Sequence, residues 1–434
     1  MKALIYSSVI IMILFQSYSI SYSQSGWIIQ QSNTTRNLND LFFINTMTGW
    51  CTGDSNTILK TTNGGANWFF QMSSGYNKLS SVFFADENTG WCCGGITNPL
   101  KAGVIYKTTN SGSYWFMIYG LGGSSVNKLF FIDSNTGFRT DDSSPMYGSS
   151  GSISKTTNGG MNWFGLLGGG YEFTAVKFKD QNTGWAAGYY WSDVLGDSSF
   201  VFKTTNGGVN WLIKFKERGG MLKDISYFDN SVWIAGKDSS ILYSSDSGDN
   251  WIKQNTNNTR RFNSVFFING NTGWAAGYRY PDTTNLIKTI NGGADWFNLN
   301  NNHGIFLNSV FFIDEYTGWT SGYSGLILKT TSGGLTGLNY NTHQYPEEFQ
   351  LFQNYPNPFN PVTVIRYSTG ENSFITLIVF DALGREIVTL VNENQNTGTY
   401  EADFEAGNLS SGIYYYSLFV NQVHQDSKKM LLVR

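Results

Sequence analysis

Charge, cysteine, histidine and proline are all scarce in this sequence of 434 residues. Charged residues make up 14%, the formal net charge is −3, and lysines and arginines form no block that would neutralise phosphates, which argues against a nucleic-acid partner. The three histidines, His303, His343 and His424, share no metal-ligand spacing. We therefore expect no metal site and no cofactor.

Long hydrophobic runs are missing after the first 23 residues. Those residues contain Lys2, the apolar run Val9–Phe15 and the small polar ending Ser21-Tyr22-Ser23, which together are typical of a secretory signal peptide. A bilayer crossing needs about 20 consecutive apolar residues. The sequence thus predicts a signal peptide at residues 1–23 and an exported chain with no transmembrane segment once it is mature.

Glycine and aromatic residues, by contrast, are abundant. The 49 glycines stand against seven prolines and follow no G-X-Y period, which excludes collagen and predicts the many tight turns of a β protein. Hydrophobic residues make up 41% of the chain and aromatic residues 16%, which is enough apolar surface for a packed core. Global disorder is therefore excluded.

One pattern recurs seven times between about residue 38 and residue 334: an apolar strand, a D/N-x-x-TGW turn, a strand of small residues and a K-T-T-N-G-G-x-x-W segment. The period of about 45 residues is the length of a four-stranded propeller blade. The turn aromatics are Trp50, Trp91, Phe138, Trp185, Trp233, Trp274 and Trp319.

The second half of each repeat, such as TTNGGANW at 61–68 and TTNGGVNW at 204–211, resembles the Asp-box, or bacterial neuraminidase repeat. Asn, Asp and Gly in this turn permit positive φ and side-chain hydrogen bonds to the backbone, and the Trp packs between neighbouring sheets. The resemblance implies a structural hairpin on each blade. As a whole, the repeats resemble bacterial photosystem II assembly-factor-like propellers.

The seventh box, TTSGG at 330–334, has no Trp, whereas the mature chain opens on the Trp strand Gly26-Trp27-Ile28-Ile29-Gln30 without a box before it. The two fragments complete one another. We expect the N-terminal strand to fill the last blade and close the ring, which removes the exposed sheet edges of an open array.

Two of the three cysteines, Cys51 and Cys92, each follow the turn Trp, where other repeats carry Ala186, Ala275 and Thr320. This position predicts small buried filler residues. A disulfide bridge or a metal role is the alternative.

The composition changes after Gly334, where four of the seven prolines lie between Pro346 and Pro361. From Leu351 the sequence runs LFQNYPNPFNPVTVIRYS and ends in KKMLLVR at 428–434, which closely resembles the type A C-terminal sorting domain of type IX secretion cargo. Alternating apolar strands broken by Gly and Asn turns independently predict a small Ig-like β-sandwich.

The sequence therefore predicts an all-β protein: a seven-bladed β-propeller at 24–334, a linker at 335–348 and a sorting domain at 349–434. The resemblance of the tail implies that the type IX secretion machinery and a sortase-like protease act on it. It also implies that the protein reaches the medium or the outer cell surface of a Gram-negative bacterium through the periplasm.

The link between the second and third strands is longer in blades 2, 3, 4 and 6 than in the other three. These insertions lie on the face opposite the Asp-boxes, and loops raised on a rigid scaffold commonly carry binding sites. Of the fourteen tryptophans, only Trp191 has no scaffold position. Our candidate ligand-binding residues are Tyr189, Tyr190, Trp191 and Asp193 of blade 4, Asp141 and Asp142 of blade 3, and Arg279 and Tyr280 of blade 6. The alternative is that the blade 4 aromatics fold down and pin their own loop.

No catalytic residue is assigned. Sialidases share the Asp-box but need an Arg-Ile-Pro segment, which is absent, and three convergent arginines, which no motif here ties together. Paired carboxylates, as in xyloglucanase-like propellers, keep a glycosidase open through Asp141, Asp142, Asp193 and Asp197. The sequence favours a non-catalytic module that binds or adheres to a glycan or a surface protein. A secreted sialidase- or xyloglucanase-like hydrolase is the alternative.

Overall fold

In a computed structural model the chain divides into two compact units, residues 1–337 and 338–434. The structure describes residues 26–96, 102–122, 124–142, 151–190, 198–237, 241–256, 261–279, 283–299, 305–335, 349–354, 356–369, 372–396 and 398–433. The predicted signal peptide at 1–23 lies outside these ranges, as does nearly all of the predicted linker. In the described part, no helix has the length and apolar character that a membrane crossing needs.

The first unit consists of four-stranded antiparallel sheets, seven in the described chain, each built from one sequence repeat. Six of them contain four consecutive strands: β2 Leu38–Phe43, β3 Gly49–Gly53, β4 Thr57–Thr61 and β5 Phe69–Met72 in blade 1; β6 Lys78–Phe84, β7 Gly90–Ile96, β8 Ala102–Thr108 and β9 Phe116–Gly122 in blade 2; β10 Val126–Phe131, β11 Gly137–Asp141, β12 Ser152–Thr156 and β13 Phe164–Gly168 in blade 3; β14 Glu172–Phe178, β15 Gly184–Tyr190, β16 Ser198–Thr204 and β17 Leu212–Arg218 in blade 4; β18 Leu222–Phe228, β19 Ser231–Gly236, β20 Ile241–Ser244 and β21 Ile252–Gln254 in blade 5; β22 Arg261–Phe267, β23 Gly273–Arg279, β24 Thr283–Thr289 and β25 Phe297–Asn298 in blade 6.

Blade 7 joins both ends of the propeller sequence. Its strands are β26 Leu307–Phe312, β27 Gly318–Gly322 and β28 Ile327–Gly334, and β1 Gly26–Gln30 pairs with β28 as the fourth strand. The inner strands of successive blades contact one another all the way round, and β26 packs against β2. The predicted all-β propeller, closed by exchange of the N-terminal strand, is confirmed.

Flat aromatic stacking joins neighbouring blades. At six of the seven junctions the turn aromatic of one blade lies flat on a Phe of the next blade's inner strand, as in Trp50 on Phe84 at 3.5 Å between ring centroids and Trp319 on Phe43 at 3.6 Å. At the seventh, Trp185 lies tilted against Tyr227 at 5.6 Å. The indole N–H of five turn tryptophans donates to a box carbonyl of the next blade, as from Trp319 Nε1 to Gly64 O at 3.1 Å. Trp50 Nε1 is buried without such a partner. Burial of these large rings explains why the TGW turn recurs in the sequence.

The Asp-box turn is held by its own side chains. In the first box, Thr61 Oγ1 accepts from the Gly65 N–H at 2.8 Å and Asn63 Oδ1 accepts from the Asn67 N–H at 2.9 Å. Gly64 and Gly65 have φ values of 66° and 93°, a left-handed conformation that favours glycine. The box is therefore scaffold, as the sequence predicted.

The three cysteines are free and fully buried, and burial raises the pKa of each thiol. Because the thiolate is the reactive form, we expect none of them to react with a thiol-specific reagent such as DTNB in the folded protein. Addition of denaturant without reductant should release three thiols per chain. Titration of a cysteine in the native state, or fewer than three thiols after unfolding, would contradict this assignment as buried filler.

The second unit is a small β-sandwich of two sheets, as predicted. One sheet has the order β29-β30-β33 and the other β32-β31-β34-β35. Their core includes Ile365, Leu377, Tyr416 and Leu418. The strands are β29 Gln350–Leu351, β30 Val362–Thr369, β31 Ser373–Asp381, β32 Glu386–Gln395, β33 Gly398–Glu405, β34 Gly412–Val420 and β35 Val423–Leu432.

Candidate binding face of the propeller

Each blade presents the link between its second and third strands on one face of the ring, which we call the insertion face. The starts of the inner strands and the ends of the second strands lie here, while the Asp-boxes occupy the opposite face, the box face. Of the predicted ligand-binding residues, Asp141, Asp142, Tyr189 and Tyr190 lie at or beside strand ends on the insertion face. Trp191, Asp193 and Tyr280 lie outside the described residues, and of Arg279 only the backbone is described.

In blade 4, Tyr189 and Tyr190 end the strand β15 and point to opposite sides of the sheet. The Tyr189 side chain is buried, whereas Tyr190 is 40% exposed. Tyr190 lies edge-on to Tyr171 at 6.3 Å, and Tyr171 in turn packs edge-on against Phe200 at 5.0 Å. Tyr189 thus belongs to the packed blade, while Tyr190 is partly exposed beside packed aromatic neighbours.

In blade 3, the predicted carboxylate Asp141 is buried and engaged. Its Oδ2 lies 3.4 Å from Nε of Arg139 and accepts from the Ser152 hydroxyl at 2.7 Å. Burial raises the pKa of Asp141, although the Arg139 charge opposes this shift. The other six blades carry glycine at this register position: Gly53, Gly94, Gly188, Gly236, Gly277 and Gly322.

The neighbouring Asp142 is held by the backbone of Ser125. Its Oδ1 accepts from the Ser125 N–H at 2.8 Å, and its own N–H donates to the Ser125 carbonyl at 3.0 Å. The guanidinium of Arg139 stacks on the Tyr119 ring at 4.0 Å and donates to its hydroxyl at 3.1 Å. Both carboxylates therefore bind groups of the scaffold at the base of the blade 3 insertion.

A second aromatic group on this face was missed in the sequence. Tyr278 of blade 6 packs against Phe306 of blade 7 at 4.5 Å between ring centroids, and Phe306 lies edge-on to Tyr323 at 5.3 Å. Arg261 donates to the Tyr278 hydroxyl at 3.3 Å. Tyr323 is 42% exposed. The sequence contained one signal for this group, which is an aromatic residue at each of three strand ends on the insertion face.

Metal chemistry has no support in the described part of the chain, where no group of three or more His, Cys, Asp and Glu side chains is placed to hold an ion. Burial also raises the pKa of the Tyr323 hydroxyl, with Tyr278 and Asp54 adding to the effect. This face therefore offers aromatic surfaces and hydrogen-bonding hydroxyls.

Two family models match the chain. Residues 20–168 match the photosynthesis system II assembly factor YCF48, and residues 353–433 match the secretion system C-terminal sorting domain. Both resemblances seen in the sequence are thereby confirmed. The C-terminal match indicates a type IX secreted protein, found outside the cell or at its surface. A search of curated proteins found no relative.

Solved structures share the propeller. YCF48 bound to D1 peptide is 20% identical with a TM-score of 0.56 over 72% of this chain and 98% of that one. YCF48 from Cyanidioschyzon merolae is 18% identical with a TM-score of 0.53 over 70% and 98%. A GH74 xyloglucanase from Xanthomonas campestris is 10% identical with a TM-score of 0.52 over 80% and 60%. At these identities the likeness shows the fold alone.

Proposed function

We propose that this type IX secreted propeller is a non-catalytic binding module whose insertion face holds a glycan or a surface protein. The observation that carries the proposal is the pair of aromatic groups on that face, built on Tyr190 and on Tyr323. Each has one partly exposed tyrosine ring backed by packed aromatic neighbours. Rigid aromatic rings with a hydroxyl at one end offer stacking area at low entropic cost.

The engaged carboxylates favour binding over hydrolysis. A glycosidase needs two carboxyl groups that reach the scissile bond. Asp141 Oδ2 is occupied by Arg139 and Ser152, and Asp142 Oδ1 by the Ser125 N–H. The other two candidate carboxylates, Asp193 and Asp197, lie outside the described residues. In this proposal Trp191, Asp193, Arg279 and Tyr280 add contacts from the inserted segments. The C-terminal unit engages the secretion machinery and a sortase-like protease.

Replacement of Tyr190 by alanine is expected to weaken retention on the cognate glycan or cell surface by about thirtyfold, since a central aromatic anchor is typically worth about 2 kcal/mol or more. Trp191→Ala should have a similar effect. Because Tyr190 is 40% exposed, the melting temperature should change little. Glycan-array and cell-surface binding of the mature chain, measured beside a glycoside hydrolysis screen, test both parts of the proposal.

The matched control is Tyr114→Ala, which removes a tyrosine that is 66% exposed in an Asp-box on the opposite face. This variant should bind as well as the wild type. Trp211→Ala should damage folding first, because its ring packs edge-on against Phe178 at 5.9 Å. Equal losses in Tyr190→Ala and Tyr114→Ala, or turnover in the hydrolysis screen, would overturn the proposal.

A further inference from the structure

The inner strands of the blades enclose a cavity of about 280 Å³ in the centre of the ring. Side chains reach it at two levels. The polar level, nearer the insertion face, contains Asp40, Ser81, Lys128, Asp224, Ser264 and Ser309. The phenylalanine level, nearer the box face, contains Phe42, Phe83, Phe130, Lys177, Ser226, Phe266 and Phe311.

The charged side chains of the polar level all have ion-pair or hydrogen-bond partners. Lys128 Nζ lies 3.2 Å from Asp40 Oδ2, and Ser309 donates to Asp40 Oδ1 at 2.9 Å. Asp224 accepts from the Ser264 hydroxyl at 2.8 Å and from the Ile225 and Val265 N–H groups. Burial opposes the charge of Lys128, but Asp40 and Asp224 outweigh it and raise the lysine's pKa. Both carboxylates, Asp40 and Asp224, therefore accept hydrogen bonds.

The phenylalanine level is asymmetric. Five phenylalanines form an unbroken crescent through blades 6, 7, 1, 2 and 3, with neighbouring ring centroids 4.9–5.6 Å apart along Phe266, Phe311, Phe42, Phe83 and Phe130. The two remaining blades, 4 and 5, put Lys177 and Ser226 at the same register position. One side of the cavity is thus apolar, and the other carries an ammonium group and a hydroxyl.

The ammonium group of Lys177 lacks a negatively charged partner among the described residues. Its Nζ lies 5.2 Å from the centre of the Phe130 ring, and among the described residues no carboxylate comes within the 4.0 Å of an ion pair. Burial lowers the pKa of Lys177, although Asp224 and Asp40 act in the opposite direction. Lys177 is only partly exposed, and its ammonium group has no described carboxylate at ion-pair distance. An anion beside it would therefore be stabilised.

We propose that this cavity binds a small monocarboxylate with an apolar body. The carboxylate pairs with Lys177 Nζ and accepts from the Ser226 hydroxyl, whose oxygen itself accepts from the Phe267 N–H at 2.9 Å. The aryl or branched hydrocarbon body lies against the phenylalanine crescent. One ammonium and one hydroxyl match the two oxygens of a monoanion, and a phosphate dianion would need more donors. This site is separate from the insertion face and does not depend on ligand binding there.

Calorimetric titration of the mature chain with 4-phenylbutyrate and with its neutral amide, 4-phenylbutanamide, tests the proposal without any mutation. The two probes have the same body and differ in charge. Because charge-assisted hydrogen bonds are about twice as strong as neutral ones, we expect the acid to bind at least about tenfold more tightly. Equal affinity, or no binding of the acid up to about 10 mM, overturns the proposal.

Lys177→Met keeps most of the length of the side chain and removes its charge, so it should cost the acid about tenfold in affinity and leave the amide unchanged. The control is Lys253→Met, which removes a lysine paired with Glu217 on outer strands and should bind both probes as the wild type does. Acid binding at wild-type strength in Lys177→Met contradicts the site. A short peptide ending in Phe, compared as free acid and as amide, then distinguishes a peptide C-terminus from a free acid as the natural source.

Discussion

Replacement of Trp27 by alanine is expected to destabilise the propeller by about 3–5 kcal/mol, the cost of emptying a large aromatic site in a packed core. Trp27 is 2% exposed and lies edge-on to Phe312 at 5.8 Å. Box tryptophans make the same contact in other blades, as Trp68 does with Phe43 at 5.8 Å. Because Trp27 packs with Trp274 and Leu299 of blade 6, its loss also loosens β1 in the core between blades 6 and 7. Chemical denaturation of the mature chain measures the change.

The next residue on the same strand supplies the control. Ile28 is 65% exposed, so Ile28→Ala should change the free energy of unfolding by no more than about 0.5 kcal/mol. Trp68→Ala in blade 1 should resemble Trp27→Ala, since the two rings occupy equivalent positions. Identical denaturation midpoints for Trp27→Ala and Ile28→Ala would show that β1 does not complete blade 7 in solution.

The closed ring was predictable because each part of it leaves a local trace in the sequence. Each TGW turn marks the start of a second strand, and each box marks a hairpin between the third and fourth strands. The seventh box lacks its Trp, and Trp27 lacks its box, so their pairing follows from complementarity alone. The buried environment of Cys51 also follows, because Ala and Thr share its position in other repeats.

Asp141 shows that local sequence does not predict how far a strand extends. The sequence placed it in the blade 3 insertion as a candidate for ligand contact. In the structure, β11 extends through Asp141, which puts the carboxylate opposite Val126 and beside Arg139. The extent of a strand depends on the partners it finds across the sheet. The local sequence around Asp141, a carboxylate before a Gly-rich and Ser-rich segment, does not show where β11 ends.

Contacts between blades were the least accessible from sequence. Tyr278, Phe306 and Tyr323 come from separate strand ends and meet only after the sheets have packed. Lys177 stands where five other repeats carry phenylalanine, but the direction of its side chain depends on the irregular register between Phe173 and Ala175. A shift of one residue reverses the face to which every side chain points. The cavity at the centre of the ring therefore required the structure.

Removal of residues 349–434 is expected to reduce delivery of the protein to the cell surface or medium to background and to leave a folded propeller in the periplasm of a host with type IX secretion. The C-terminal unit has its own core, so its loss removes no blade of the ring. Fractionation and protease protection of the full-length and truncated chains measure the effect.

Two substitutions on β31 separate the need for a folded sorting domain from the need for its sequence alone. Leu377→Asp places a carboxylate in the sandwich core, where burial of an unpaired charge is strongly destabilising, and should abolish export as truncation does. Thr376→Asp changes the neighbouring, partly exposed position and should leave export intact. Normal surface delivery of the truncated chain would contradict the sorting role. Export of Leu377→Asp at wild-type levels would instead show that the machinery reads an extended segment, because the sandwich would then be dispensable.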